Sequence, residues 1–379
     1  MREGWTERRL GNICDFRAGE YIPKERYDDG PYFIYGSNSV MGRVSTPLIA
    51  HPHVVMAAVG ANAGAVRFSP EPSWVNNNAF ALIAQPGVEP QFLYFWLEAR
   101  LRKASILAGT GQPYVKKGLL REQKVALPPL DEQRRIVDLI GSLDAVVERA
   151  AAVAAGASTT LRRMVDELFR SIRHAAPSAP LGSIAETVLG KMKWAGGEDA
   201  AARYPYLRNQ DVQWDSLNLE GLAEMPFSDR DRERLSLRAG DVLICEGGEV
   251  GRAAVVDEDL GDIFFQKAVH RVRVTDVLVP RFVLYFFIHM AQSGQLASYT
   301  SQSTIAHLTG EKLRTIPVPI VALDEQASHV ARFDSLRSTA RAADALVERL
   351  RVMRRRALND LLSGSHGIPA KYDLLLRSV

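Results

Sequence analysis

The residues whose chemistry is most suggestive lie in short polar groups, because Asn, Gln, Arg, Lys and Ser side chains hydrogen-bond nucleic-acid base edges and phosphates. Two consecutive lysines in the first half are expected to hold phosphates. An ordinary solvated loop is the alternative for each group. The candidates in this half are Tyr35, Ser37, Asn38, Asn76, Asn77, Asn78, Gln112, Tyr114, Lys116 and Lys117.

The second half carries a comparable set of polar groups. Arg208 matches the donor pattern needed to pair with guanine, and Asn209 or Gln210 the pattern needed for adenine. The alternative for every member is again an ordinary polar loop position. The candidates in this half are Arg208, Asn209, Gln210, Gln266, Lys267, His270, Arg271, Ser303, Thr304 and His307.

Catalytic motifs are missing from the sequence. We find no methyltransferase glycine loop, no Asn/Asp-Pro-Pro-aromatic motif, no phosphate-binding Walker loop, and no G-x-S-x-G or H-E-x-x-H motif. The glycine-rich run 247–251 lacks a following lysine and is expected to be a turn between strands. His51 and His53 have no neighbouring Cys or carboxylate to complete a metal site. The sequence therefore predicts a protein with no catalytic site, metal or cofactor of its own.

Bulk composition narrows the class of protein. The chain has 379 residues, of which 46% are hydrophobic and 24% charged, as in a globular protein of two or three domains. A net charge of +3 permits nucleic-acid binding without requiring it. Only two cysteines occur, and the longest apolar run, 282–290, is too short to span a bilayer. A cytoplasmic location is expected.

The strands and helices that must position these groups are predicted twice, because the sequence contains an internal repeat. Leu10-Gly11-Asn12-Ile13 recurs as Leu181-Gly182-Ser183-Ile184, and residues 58–66 are loosely repeated in 246–255. An aromatic helix is predicted from Pro90 and another from Pro280. Short β-rich runs broken by Gly, Pro and Asn precede each of them. Each copy thus predicts a compact α+β domain.

A long helix is predicted at the end of each copy, after the junctions Pro128-Pro129-Leu130-Asp131-Glu132-Gln133 and Leu323-Asp324-Glu325-Gln326. Asp131 and Asp324 are predicted as N-caps. Ten apolar heptad positions follow in the first helix: Ile136, Ile140, Leu143, Val147, Ala150, Ala154, Ala157, Leu161, Met164 and Leu168. Eight of the ten positions 193 residues later are also apolar: Phe333, Leu336, Ala340, Ala343, Val347, Leu350, Ala357 and Leu361. The matching patterns predict an antiparallel coiled coil.

The ordered, duplicated motifs resemble the specificity subunit of type I restriction–modification enzymes. The paired junctions carry the resemblance, together with the stretch 303–309 in the second copy and with 35–38 and 76–79 in the first. The copies differ at 109–114 and 300–305, which suggests different half-sites. Gly141 and Gly156 interrupt the first helix, and each interior glycine costs about 1 kcal/mol relative to alanine.

The resemblance implies two target-recognition domains, each contacting one half of a bipartite double-stranded DNA site, separated by two helices that bind two methyltransferase subunits. S-adenosylmethionine is then expected on the methyltransferase, and restriction–translocase subunits are possible further partners. The expected boundaries are a first domain 1–127, a central helix 128–170, a second domain 171–318, a C-terminal helix 319–364 and a tail 365–379.

Two other classes of function stay open at this point. A divergent DNA-modifying enzyme would show turnover by the isolated chain. A protein-interaction scaffold would show no DNA affinity even with a methyltransferase partner present.

Overall fold

A computed structural model describes residues 2–109, 111–192, 202–300 and 306–369. The first α+β domain places its short strands as the Gly- and Pro-broken runs predict. Its elements are β1 (Thr6–Arg9), β2 (Cys14–Ala18), β3 (Tyr32–Tyr35), β4 (Val40–Val44), β5 (His53–Ala57), β6 (Val66–Ser69), β7 (Ser73–Val75), β8 (Ala79–Ala84), α1 (Pro90–Arg100), β9 (Leu107–Ala108), β10 (Tyr114–Val115), α2 (Lys117–Arg121) and β11 (Lys124–Leu127).

Two sheets form the first domain. A four-stranded antiparallel sheet has the order β2-β8-β5-β6, and a three-stranded sheet has the order β4-β3-β7, in which β3 and β7 run parallel. The strands β1 and β11 pair with each other and bring the two ends of the domain together. Helix α1 packs its aromatic residues, among them Phe92 and Phe95, into the core beside Phe80 of β8.

The long helix α3 (Leu130–Ala175) leads into the second domain. The elements that follow α3 are β12 (Ser178–Pro180), α4 (Leu181–Ile184), β13 (Ala185–Leu189), β14 (Arg203–Leu207), β15 (Val212–Gln213), β16 (Ser216–Leu217), β17 (Ala223–Pro226), α5 (Asp229–Arg234), β18 (Val242–Cys245), β19 (Ala253–Val255), β20 (Phe264–Phe265), β21 (Val269–Val274), α6 (Pro280–Gln292), α7 (Gly310–Thr315), β22 (Pro317–Pro319) and the long helix α8 (Leu323–Ser363).

The second domain repeats the topology of the first. Its four-stranded sheet has the order β13-β21-β18-β19, and its three-stranded sheet has the order β17-β14-β20 with β14 and β20 parallel. Strand pairing also gives residue equivalences: Phe80 of β8 lies opposite Met56, as His270 of β21 lies opposite Ile244. The predicted duplication is confirmed at the level of strand order and register.

The two long helices pack antiparallel, which confirms the predicted α+β fold with a helical pair. All twenty heptad positions are buried or partly buried. The predicted N-caps are wrong, because each helix already begins at the preceding leucine and Asp131 and Asp324 lie exposed in the first turn. There their charge still favours the helix dipole. Helix α3 continues through Gly141 and Gly156 without a break and extends to Ala175.

The glutamine of each junction motif explains why the motif occurs twice. Gln133 is fully buried; its Oε1 accepts from the backbone N–H of Glu89 at 2.8 Å, and its Nε2 donates to the carbonyls of Gly87 and Pro128. Gln326 makes the same three bonds to Val279, Val277 and Val321. Since each glutamine binds the loop before an aromatic helix, it joins the start of the long helix to its domain.

The chain divides into two compact units, 1–151 with 344–379, and 152–343, so each unit contains one domain and one half of each long helix. In the first unit, Ile136 and Ile140 of α3 share a core with Leu358 and Leu361 of α8. In the second, Phe169 of α3 packs 5.1 Å from the Phe282 ring of α6, with Phe333 of α8 in the same core.

Each unit also has a cluster of ion pairs against its helices. In the first, Arg354 of α8 binds Asp144 of α3 at 2.8 Å and Glu98 of α1 at 2.9 Å. In the second, the nearly buried Asp215 accepts from Arg281 of α6 at 3.2 Å and pairs with Arg337 of α8. The cluster therefore ties the loop between β15 and β16 to two helices.

Candidate nucleic-acid interface

The polar residues predicted in the first domain meet at one edge of the three-stranded sheet. Because β3 and β7 are parallel neighbours, the loops after them leave the sheet on the same side. The backbone N–H of Asn76 donates to the Tyr35 carbonyl at 2.8 Å, and the N–H of Ser37 donates to Asn78 Oδ1 at 3.1 Å. Tyr35 and Asn76 are buried and support the loops, whereas Asn77 is exposed.

Two further residues at this edge were missed by the sequence analysis. Asn62, between β5 and β6, donates through its amide to Asn38 Oδ1, and Arg67 of β6 donates to the Asn38 carbonyl at 2.7 Å. They border a cavity of about 240 Å³ whose lining includes Val55 and Ala57. In the sequence, Asn62 lies within the repeated stretch 58–66 and Arg67 directly follows it. Neither could be identified from residue type, because a hydrogen bond from a strand residue to a loop has no sequence signature.

The remaining predicted residues of the first domain adjoin the same edge. Tyr114 of β10 bridges Val59, and the Gly60 N–H donates to the Pro113 carbonyl at 2.8 Å. Tyr114 is 43% exposed. The exposed Lys117 places its Nζ 4.8 Å from the Phe80 ring centroid, while Gln112 and Lys116 are exposed. The edge thus combines amide, aromatic and cationic groups, which suits contacts to bases and phosphates.

The second domain assembles its predicted residues at the equivalent edge. The Gln266 N–H donates to the Leu207 carbonyl at 3.0 Å, which places the loop after β20 beside the loop after β14. Arg252 donates to the Asn209 carbonyl at 2.5 Å. Gln210 and Lys267 are exposed there.

Arg208 lies in a closed ion pair at this edge of the second domain. Its Nε and NH2 donate to Asp211 at 2.7 and 3.0 Å. Burial by itself would raise the pKa of Asp211, but the hydrogen bonds from Arg208 outweigh it and leave that pKa below its ordinary value. Asp211 is therefore ionised at neutral pH and holds the guanidinium of Arg208 in a fixed orientation.

Comparison with known proteins identifies the family to which this chain belongs. The family model described as "Type I restriction modification DNA specificity domain" matches residues 2–151 and 193–346. The chain belongs to the type I restriction–modification specificity family. A curated relative, the type I restriction enzyme MjaVIII specificity subunit of Methanocaldococcus jannaschii, is 20% identical over 295 residues, 72% of this chain and 69% of the relative.

Two solved structures share the fold of this specificity subunit. The type I restriction–modification S subunit from M. genitalium superposes with a TM-score of 0.62 at 16% identity, over 94% of this chain and 96% of that one. A chain from a structure on complex assembly and conformational transition of the type I system gives a TM-score of 0.57 at 19% identity, over 96% and 98%. Specificity subunits are non-catalytic, and the family match extends this to the present chain.

Two residues predicted to contact DNA are buried in the second target-recognition domain. His270 is 1% exposed, with its Nε2 2.9 Å from the Leu308 carbonyl. Arg271 is 2% exposed and donates to the Arg234 and Ser236 carbonyls and to Glu186. Their strand β21 is central in its sheet and begins with four consecutive buried residues, so both of its faces are covered there. The prediction that these two residues contact DNA is therefore wrong, and both belong to the buried interior of the domain.

Other predicted residues of the specificity subunit have these positions. His307 is exposed and precedes Leu308, whose N–H donates to the Glu246 carbonyl at 2.8 Å, so it adjoins the loop before Arg252. Ser303 and Thr304 lie outside the described residues. In the part of the chain that the structure describes, no three His, Cys, Asp or Glu residues are grouped to hold a metal ion, and no helix is long and apolar enough to cross a membrane.

Proposed function

We propose that this chain recognises a bipartite DNA sequence for a type I restriction–modification complex, with one half-site contacted by each domain. The observation that carries the proposal is the duplicated edge: in both domains the loops after two parallel strands present exposed polar side chains, Asn38 and Asn77 in the first domain and Gln210 and Lys267 in the second. The first target-recognition domain is taken as 1–127 and the second as 171–318. Their loops differ in sequence, which favours two different half-sites.

We further propose that the long helices bind the methyltransferase subunits. Three apolar residues on the second half of α8, Leu346, Val352 and Met353, are 49%, 37% and 47% exposed. They belong to the same unit and lie within two helical turns of each other. Large apolar side chains at exposed helix positions favour a partner surface.

The recognition proposal is tested by methylation-aware sequencing of the source genome with the gene intact and deleted. We expect one split-motif methylation to disappear on deletion, and its two halves to be the two half-sites. Unchanged methylation with the partner genes expressed would contradict the proposal and favour the protein-interaction scaffold.

We also propose that α3 and α8 set the gap of unread base pairs between the two half-sites, and the test is to insert one heptad into both helices. Seven residues add about 10.5 Å of helix, which corresponds to about three base pairs of DNA. The unread gap of the methylated motif should lengthen accordingly while both half-sites stay the same. An unchanged gap would contradict the spacer role.

Docking is tested by Val352→Glu and Met353→Glu, with Arg355→Glu as a matched control at an exposed position outside the apolar group. We expect the first two variants to lose co-purification of the methyltransferase subunit and the control to retain it. Retention by all three would place the methyltransferase surface elsewhere.

A further inference from the structure

Each domain holds its proposed DNA-contacting loop with an arginine that lies within, or directly before, the edge strand of the four-stranded sheet. In the first domain Arg67 NH2 lies 2.7 Å from the Asn38 carbonyl, and in the second Arg252 NH2 lies 2.5 Å from the Asn209 carbonyl. A bond to a backbone carbonyl fixes the path of the loop whatever side chain the loop residue carries. These arginines therefore determine where the neighbouring amide groups of the loop are presented.

The two arginines occupy different positions relative to equivalent strands, because Arg67 lies within β6 and Arg252 directly precedes β19. The N–H of Ala57 donates to the Ala65 carbonyl as the N–H of Cys245 donates to the Arg252 carbonyl, so Arg252 corresponds to Ala65. Arg67 lies two residues further along, where the second domain has the buried Ala254. The two loops are thus held from two different points of one common framework.

Their charges are also balanced differently. Arg252 pairs with Glu249 at 3.3 Å, and the other oxygen of Glu249 accepts from Trp214 Nε1. Arg67 is exposed and has no carboxylate within ion-pair distance among the described residues. The charge of Arg67 is therefore available to a polyanion, whereas Arg252 already has a carboxylate partner in Glu249.

The cavity beside Arg67 adds room for a base edge. It has a volume of about 240 Å³, and Asn38, Asn62 and Arg67 border it above the small side chains Ala57 and Ala65. At the two corresponding positions the second domain has Cys245 and Arg252, which are larger. The first domain thus offers amide and guanidinium groups around an opening lined by small side chains, where the second domain carries two larger ones.

We propose that Arg67 and Arg252 are specificity-determining residues, each acting on the half-site of its own domain. This inference rests on the proposed DNA-recognition function. Arg67 positions Asn38 and also contacts the DNA, whereas Arg252 is a positioning residue that acts through Asn209. The sequence difference between the half-sites then follows partly from where the arginine is placed relative to the edge strand.

The test uses the full chain assembled with its methyltransferase subunits and a pool of DNA duplexes in which one half-site is randomised. Methylated duplexes are sequenced for the wild type, Arg67→Ala, Arg67→Lys and Arg252→Ala. We expect Arg67→Ala to reduce base discrimination about tenfold at one or two positions of the first half-site. Arg252→Ala should do the same at the second half-site only.

The lysine variant separates charge from positioning. Because Arg67→Lys keeps the positive charge but loses the planar fork of the guanidinium, it should recover overall affinity at low salt without recovering base preference. Arg8→Ala and Arg230→Ala, at exposed arginines of β1 and α5, are the matched controls and should change neither preference.

Three outcomes would overturn the inference: unchanged base preference in both alanine variants, a change in the wrong half-site, or a uniform loss of methylation together with a lower melting temperature. The last outcome would mean that the arginines only stabilise the fold. Failure of the proposed function looks different, because the wild-type complex itself would then select no split sequence from the pool.

Discussion

The two domains are attached to the long helices by the same buried glutamine but by different ion pairs. Gln133 and Gln326 make equivalent bonds to one backbone N–H and two carbonyls. By contrast, Asp144 of the first copy binds an arginine of the other helix, while the corresponding position in the second copy is Arg337, which binds Asp215 of its own domain. The same helix position carries opposite charges.

The difference shows which contacts between a domain and its long helix can differ between the two copies. Buried backbone groups need partners wherever the domain meets the helix, so the residue that satisfies them is kept in both copies. An ion pair can be replaced by another of different direction and partner, provided that no charge is left buried alone. The two copies therefore share the hydrogen bonds that satisfy buried backbone groups, but they do not share the sign of the charge in the ion pairs.

The largest expected effect comes from removing the shared glutamines. Gln133→Ala and Gln326→Ala each leave three backbone groups without a partner, and we expect each to lower the free energy of unfolding of its own unit by about 3 kcal/mol. Hydrogen exchange followed by mass spectrometry measures each unit separately. Gln123→Ala, at a half-buried glutamine whose side chain makes one local bond to the Leu119 carbonyl, is the control. A loss of stability in only one of the two variants would show that Gln133 and Gln326 are not equivalent.

The next effect is specific to the second copy. Asp215→Asn removes the charge that Arg281 and Arg337 share, and we expect a loss of about 2 kcal/mol, since these arginines are partly exposed and water compensates for some of the lost attraction. Asparagine tolerates the left-handed backbone at this residue, where φ is 57°. Asp229→Asn, fully exposed, should cost nothing measurable in urea unfolding. Equal losses in both variants would remove any special role for the Asp215 cluster.

Acid should weaken the second unit more than the first. Burial lowers the pKa of His53 in the first unit and of His270 and His289 in the second. The unfolded chain takes up protons near pH 6.5 while the folded histidines stay neutral, so the free energy of unfolding falls as the pH drops below that value. Among the residues that the structure describes, two such histidines lie in the second unit and one in the first, so the second unit should lose more stability.

His270→Phe, which copies Phe80 of the first domain, should reduce this pH dependence. Melting temperatures at pH 8 and pH 5.5 check it. An unchanged pH dependence in the variant would show that His270 does not contribute.

The smallest effect concerns the glycines of α3. A Cβ at Gly141 or Gly156 would meet no other atom within 4 Å, and we expect Gly141→Ala and Gly156→Ala each to stabilise the protein by about 0.5–1 kcal/mol. The corresponding positions of α8 already carry Asp334 and Arg349. A loss of stability measured by urea unfolding would show that α3 requires these glycines.

Much of this architecture can be predicted from the sequence, because the duplication fixes two domains and two helices and the heptad positions fix how the helices pack. The junction motif can be recognised in the sequence, but two of the three hydrogen bonds of Gln133 go to a loop that is 44 and 46 residues away in the chain. Burial of His270 and Arg271 was missed because their alternating pattern resembles a strand with one solvated face. Arg67 and Arg252 were missed because their partners are backbone carbonyls, which leave no trace in residue type.

The first unit is made of two separate stretches of the chain, and this affects how the protein folds while it is being synthesised. Its core includes Leu358, Leu361 and Leu362 of α8, which follow the whole second unit in the sequence, whereas the second unit is one uninterrupted stretch, 152–343. On the ribosome the first domain must therefore wait for the second half of α8 before its apolar surface is fully covered, although the second domain, translated later, can already fold. A chain stopped after residue 343 would thus keep an intact second unit and expose the interior of the domain that was made first.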